Sequence, residues 1–130
     1  NQQAAMVIRD SNPQDQSQLS VRRLESNSTL ESYETIYLNA WQRQVETTGY
    51  FQISQKDILQ GNFKVQIRSI IDSMGNLIGA DILKSSGNLS MDALALKILQ
   101  QSAPFEPFPV DMAANYQQLE IIRDWNFTNS

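Results

Sequence analysis

The sequence predicts an α+β domain: an α-β-β-α-β chain folding into a three-stranded antiparallel sheet with two helices on one face. Three observations carry this. Apolar residues recur at three- and four-residue intervals in two segments and at every second residue in others. The turn-forming run Asp72-Ser73-Met74-Gly75-Asn76 joins two of the segments read as strands. The 130 residues, 41% hydrophobic and 18% charged, suffice for one core and a tail.

Residues 1–27 are rich in Gln, Ser, Asn and Asp, with only Met6, Val7, Ile8, Leu19, Val21 and Leu24 as larger apolar groups. So little apolar surface does not offset ordering entropy, and the segment reads as a flexible polar linker. A short helix or an added strand around Met6 to Ile8 stays open. The folded domain spans residues 28–130.

The first helix is expected from Ser28, which with Glu31 has capping-box spacing. Leu30, Tyr33, Tyr37, Leu38, Trp41 and Val45 form its apolar stripe, and Gly49 is its expected stop. Residues 50–60 are ambiguous. Phe63, Val65, Ile67, Ser69 and Ile71 give one face of a strand, and Gly75 or Asn76 supplies positive φ in the hairpin. The return strand is expected to turn Ile78, Ala80 and Ile82 inward. Ser90 is the expected cap of a second helix with Asp92 in its first turn and Met91, Leu94, Ala95, Ile98 and Leu99 on its buried stripe. Pro104 ends it. Phe105-Glu106-Pro107-Phe108-Pro109 must be extended. Residues 119–127 form the last strand.

Composition excludes several function classes. A net charge of -4 opposes phosphate-backbone binding, so nucleic acid is not an expected partner. The chain has no Cys and no His, which removes thiolate sites, Ser-His-Asp sites and the commonest zinc ligand. No Gly-Lys-Ser/Thr phosphate loop occurs, and the 14 acidic residues show no metal-loop spacing. No cofactor, metal site or catalytic residue is expected. Hydrolysis by carboxylates alone, with Asp72, Asp81 and Asp92 as candidates, is the residual enzymatic reading.

Several blocks together resemble the TonB C-terminal domain family. They are Tyr37-Leu38-Asn39-Ala40-Trp41 with Val45-Glu46 and Gly49; Asp72, Gly75 and Asn76; Ser85-Ser86-Gly87; Met91-Asp92-Ala93-Leu94; Ala103-Pro104-Phe105 with Phe108-Pro109; and the terminal Ile121, Arg123, Trp125 and Phe127. Each is weak alone, but their shared order over about two-thirds of the chain is specific. The resemblance implies a periplasmic domain of a protein anchored in the inner membrane and coupled to the proton-driven ExbB/ExbD motor. Such a domain grips the TonB box, a short peptide of an outer-membrane receptor, by strand addition, and pulling on it drives transport such as iron-siderophore uptake. The family's tyrosine-proline pair after the first helix is absent here: Tyr50-Phe51-Gln52-Ile53-Ser54 has no proline. In the family that region lies near where receptors dock, so the partner's identity is left open. An envelope scaffold of TolA-like or pilus-associated type is the alternative.

The partner-binding candidates are Leu119, Ile121, Ile122, Arg123, Asp124, Trp125, Asn126 and Phe127. An edge strand offers unpaired N–H and C=O groups to an extended peptide. The side chains of Trp125 and Phe127 are better read as core packing. Arg123, alone among apolar neighbours, is open to pairing with Asp81 or Asp72 or to contacting a partner. The Pro-Phe segment reads as a rigid plug rather than a polyproline ligand. Tyr33, Tyr37 and Trp41 read as core, and Glu31, Glu34, Arg43 and Glu46 as a solvated helix face. An open edge also permits homodimers by strand pairing or swapping.

Overall fold

The computed structural model describes residues 20–56 and 61–128. In chain order they form β1 (Val21–Leu24), α1 (Ser32–Lys56), β2 (Phe63–Asp72), β3 (Leu77–Lys84), α2 (Leu89–Ser102), a single turn α3 (Val110–Ala113) and β4 (Gln118–Phe127). The α+β plan holds, with one strand more than expected. The sheet has four strands in the order β1-β4-β2-β3, and it is mixed, because β1 pairs with β4 in parallel. β1 lies inside the stretch read as linker. It carries no apolar run to announce it: only Leu24 enters the core, and Arg22 and Arg23 are held by distant carboxylates. The open reading around Met6 to Ile8 lies outside the described residues.

α1 begins at Ser32, not near Ser28. The amide of Glu31 donates to Glu34 Oε1 at 2.9 Å, so the glutamate half of a capping box is present three residues later than expected. Ser28 Oγ instead accepts the Glu25 amide at 2.8 Å in the turn after β1. The helix also runs past Gly49 to Lys56. A Cβ at Gly49 would lie 3.7 Å from two carbons of Ile98 on α2. Packing between the helices thus outweighs the helix penalty of glycine, about 1 kcal/mol. Because that gap is ordinary contact distance, Gly49→Ala should raise stability by about 0.5–1 kcal/mol. A higher urea midpoint at unchanged slope is the expected reading; a lower one would mean Ile98 cannot yield.

β2 alternates as expected, with Val65, Ile67, Ser69 and Ile71 buried. In the hairpin the Asp72 carboxylate accepts the Met74 and Asn76 amides at 2.9 Å each. Gly75 sits at φ 92°, and a Cβ there would meet the Phe105 carbonyl oxygen at 2.1 Å. That approach lets the Phe105 and Phe108 amides donate to Gly75 O and Ser73 O, docking the proline segment on the hairpin. On β3 the expected inward set is corrected. A pairing irregularity beside Ile71 brings Leu77 in with Ala80 and Ile82, and leaves Ile78 50% exposed.

Asn88, not Ser90, caps α2, accepting the Met91 amide at 3.1 Å. The expected stripe of Met91, Leu94, Ala95, Ile98 and Leu99 is buried. Asp92 accepts hydrogen bonds from the Ser85 hydroxyl, the Ser86 amide (2.9 Å) and the Ser86 hydroxyl (2.7 Å), and these hold its carboxyl below the usual range. The Ser-Ser-Gly block therefore anchors the start of α2. Phe105 and Phe108 plug into the core, where Phe108 meets Tyr37 edge-on at 5.4 Å. α3 is held by Met112, which is fully buried. The core lies between one sheet face and the stripes of α1 and α2.

Candidate functional site

β4 is not an edge strand along its whole length. On one side all of it, from Gln118 to Phe127, pairs antiparallel with β2 without a register shift. On the other side β1 covers only Gln118 through Ile121. No strand among the described residues pairs with that side of residues 122–127. The amide of Gln118 donates to Ser20 O, so Gln118 directs its main-chain groups toward the β1 side. Main-chain direction alternates along a regular strand, so Ile122, Asp124 and Asn126 direct theirs toward the open edge, while Arg123, Trp125 and Phe127 serve β2.

A groove of about 490 Å³ lies between this edge and the second half of α1. Trp41, Val45, Gly49, Tyr50 and Ile53, with Gln42 and Glu46 among them, form the helix wall, and residues 123–127 the sheet wall. These residues meet because α1 continues through Gly49; a helix stopping there would leave out Tyr50 and Ile53. The aromatic rings brace one another, with Trp41 to Trp125 edge-on at 6.5 Å and Trp125 to Phe127 at 6.5 Å. The Trp41 indole N–H is buried without a protein acceptor.

The predicted site residues divide accordingly. Leu119 and Ile121 are fully buried beneath the part of the edge that β1 occupies. Ile122, Arg123, Asp124, Trp125, Asn126 and Phe127 lie along the open part. Phe127 is core, as read from its type, whereas Trp125 is only half-buried and walls the groove. Arg123 pairs with neither Asp81 nor Asp72. Its guanidinium donates to Ile122 O at 3.1 Å, and no ion pair to it is found among the described residues. Asp81 is taken by Arg68 at 2.7 Å, and Asp72 by the hairpin. With Asp92 held by Ser85 and Ser86, all three residual enzymatic candidates have structural partners. No metal-binding group of acidic residues occurs among the described residues, and none of their helices is long and apolar enough to cross a membrane.

One group was misread from sequence. Glu34, placed on a solvated face, is 1% exposed. Its carboxylate receives Arg22 Nε at 3.0 Å, the Tyr116 hydroxyl at 2.7 Å and the Glu31 amide. Burial pushes its pKa up, but the hydrogen bonds from Arg22, Glu31 and Tyr116 prevail, and the result lies below the usual value. Tyr116 is pushed up by burial and by its bond to Glu34. This cluster ties β1 to α1 and to the approach to β4. The doublet Arg22-Arg23 beside a segment otherwise poor in cations is the one sequence signal that could have marked it.

The fold resembles the solution structure of TolAIII bound to a peptide derived from the N-terminus of TolB, at TM-score 0.52 and 14% identity over 81% of this chain and 82% of that one. Weaker likeness extends to the C-terminal domain of HasB (TM-score 0.46, 19% identity, 78% of each chain). A third match is the Helicobacter pylori TonB C-terminal domain (TM-score 0.46, 15% identity, 80% of this chain and all of that one). A search of curated proteins finds no match. Residues 48–128 match the family described as Gram-negative bacterial TonB protein C-terminal. That span covers the end of α1, the hairpin, α2, the Pro-Phe plug and β4, and the chain belongs to the TonB C-terminal family.

Proposed function

We propose that this chain is the periplasmic, partner-gripping domain of a TonB-type energy transducer, and that it binds an extended receptor peptide along residues 122–127. The observation that carries the reading is the unpaired length of β4 beside a groove that Trp41, Val45, Tyr50, Ile53 and Trp125 line together with polar side chains. Main-chain hydrogen bonds would give affinity, about 1 kcal/mol net each. Alternate side chains of the peptide would enter the groove between Trp41, Val45, Tyr50 and Ile53, giving selectivity. No bond is made or broken. Force from an inner-membrane ExbB/ExbD motor would reach the peptide through the upstream chain. Strand pairing suits such a load, because several hydrogen bonds along the edge share it.

The test is a titration of the isotope-labelled domain with a ten-residue peptide from the periplasmic N-terminus of a TonB-dependent outer-membrane receptor. Amide shifts should concentrate at Ile122, Asp124 and Asn126 and on the groove side of α1. Shifts that spare residues 122–127 would sink the reading. The uninterrupted helix through Tyr50, without the family's tyrosine-proline pair, favours a second outcome. Cross-linking from the edge to pilus or peptidoglycan-linked proteins, and to no receptor, would assign the same edge to an envelope scaffold. A dimer in sedimentation, with shifts at this edge that grow with protein concentration, would assign it to a second copy of the chain.

A further inference from the structure

The docking edge is closed at one end by the chain itself. β1 runs parallel to β4, with Leu24 opposite Ile121, and the chain then turns away at once. In that turn the Ser28 amide donates to Glu25 O at 3.1 Å, and the Glu25 amide to Ser28 Oγ. Any strand lying on residues 122–127 and continuing toward Gln118 meets Leu24 and Glu25 head on.

β1 is fastened on three sides. Leu24 is fully buried in the core. On the helix side, Arg22 spans the buried carboxylate of Glu34 and the Thr29 carbonyl, at 3.0 and 2.7 Å. On the outer sheet face, Arg23 meets Glu120 at 3.3 Å, Glu120 meets Arg68 at 3.8 Å, and Arg68 meets Asp81 at 2.7 Å, a ladder that crosses all four strands. Displacing β1 would uncover Leu24 and strip Glu34 of its cation within a buried site. A competing peptide would have to replace all of this with four residues of pairing.

Resting on the peptide-binding reading above, we propose that β1 is a built-in stop. It limits the docking edge to residues 122–127, so the site takes an extended segment of about six residues, roughly 20 Å long, and selects against longer pairing. The partner is therefore a short segment whose flanking chain leaves the sheet at Leu24. A two-sided edge open along all of β4 would instead reward every added residue.

A length series tests this. The ten-residue receptor peptide is trimmed stepwise from either end and each product is titrated against the intact chain. Affinity should rise steeply up to about six residues and then change less than about twofold up to ten. The amides of Val21 to Leu24 should keep their positions and their exchange protection throughout. A cysteine-free chain also permits a lock that leaves these ion pairs in place: Val21→Cys with Gln118→Cys, opposite residues in the register. Its oxidised and reduced forms should bind the ten-residue peptide equally. A further tenfold gain between six and ten residues, with lost protection at β1 and loss of that gain on oxidation, would overturn the stop and make β1 a displaceable occupant. Failure of every peptide to shift residues 122–127 would overturn the peptide reading itself and the stop with it.

Discussion

Glu34→Ala should cost about 3–5 kcal/mol of stability, because it leaves Arg22 and the buried Tyr116 hydroxyl without their shared acceptor. The Arg22 side chain is 34% exposed and retains the Thr29 carbonyl, which favours the lower end of that range. The loss should appear as a lower urea midpoint and as faster amide exchange at Val21 to Leu24 than at β2. A loss under about 1 kcal/mol would show that the cluster is ornamental. The same carboxylate sets a pH dependence. Its folded-state pKa lies below the ordinary value, so the folded protein binds its proton less readily than the unfolded chain. The stabilisation is therefore fully present above the ordinary glutamate range near 4.3 and is lost as pH falls through the folded value. Asp92, also depressed, adds to the same acid-side loss. Glu34→Gln should flatten part of that slope and leave the rest to Asp92 and to Asp72, which its hairpin hydrogen bonds also hold below the ordinary value. An unchanged slope would remove Glu34 from the account.

Asp124→Pro should weaken binding of the receptor peptide at least about tenfold with the fold intact, a loss of about 1.4 kcal/mol or more. The Asp124 amide belongs to the set that faces the open edge, so proline there removes a donor that the sheet does not use and puts a ring in the path of an incoming strand. Trp125→Pro is the control. Its amide belongs to the set that serves β2, opposite Val65, so the same substitution one residue on should disrupt the sheet. Calorimetric titration and far-ultraviolet dichroism on both variants separate the outcomes. Wild-type affinity in Asp124→Pro would move the partner off this edge. Unfolding of Asp124→Pro and tolerance of Trp125→Pro would mean the alternation of main-chain direction runs the other way.

Much of this domain is legible in its sequence. The stripes Tyr37-Trp41-Val45 and Met91-Leu94-Ile98 are buried because a 3.6-residue period leaves a helix only one face to turn inward. The alternation of β2 and the Asp72 hairpin are local for the same reason: side-chain period and turn chemistry act within a few residues. The family blocks at Ser85, Ala103 and Ile121 are readable too, because each serves a local cap, plug or strand. What failed was mostly a matter of neighbours. Gly49 has a stop signal, yet Ile98 supplies packing that a helix end would forfeit. Glu34 has the spacing of a solvated residue, and only the arrival of Arg22 and of Tyr116, 82 positions away, makes its burial favourable. β1 is four residues long with one core side chain, too short for any period to show.

The last strand shows the division most clearly. Its alternating apolar residues determined from sequence that it would be a strand with Leu119, Ile121 and Phe127 inward, since a two-residue period needs no distant partner. Which of its flanks stays open was decided only by tertiary structure. The answer depends on where a four-residue strand, held by charges contributed from α1 and β4, comes to rest, and that is a sum of long-range contacts that no window of sequence contains.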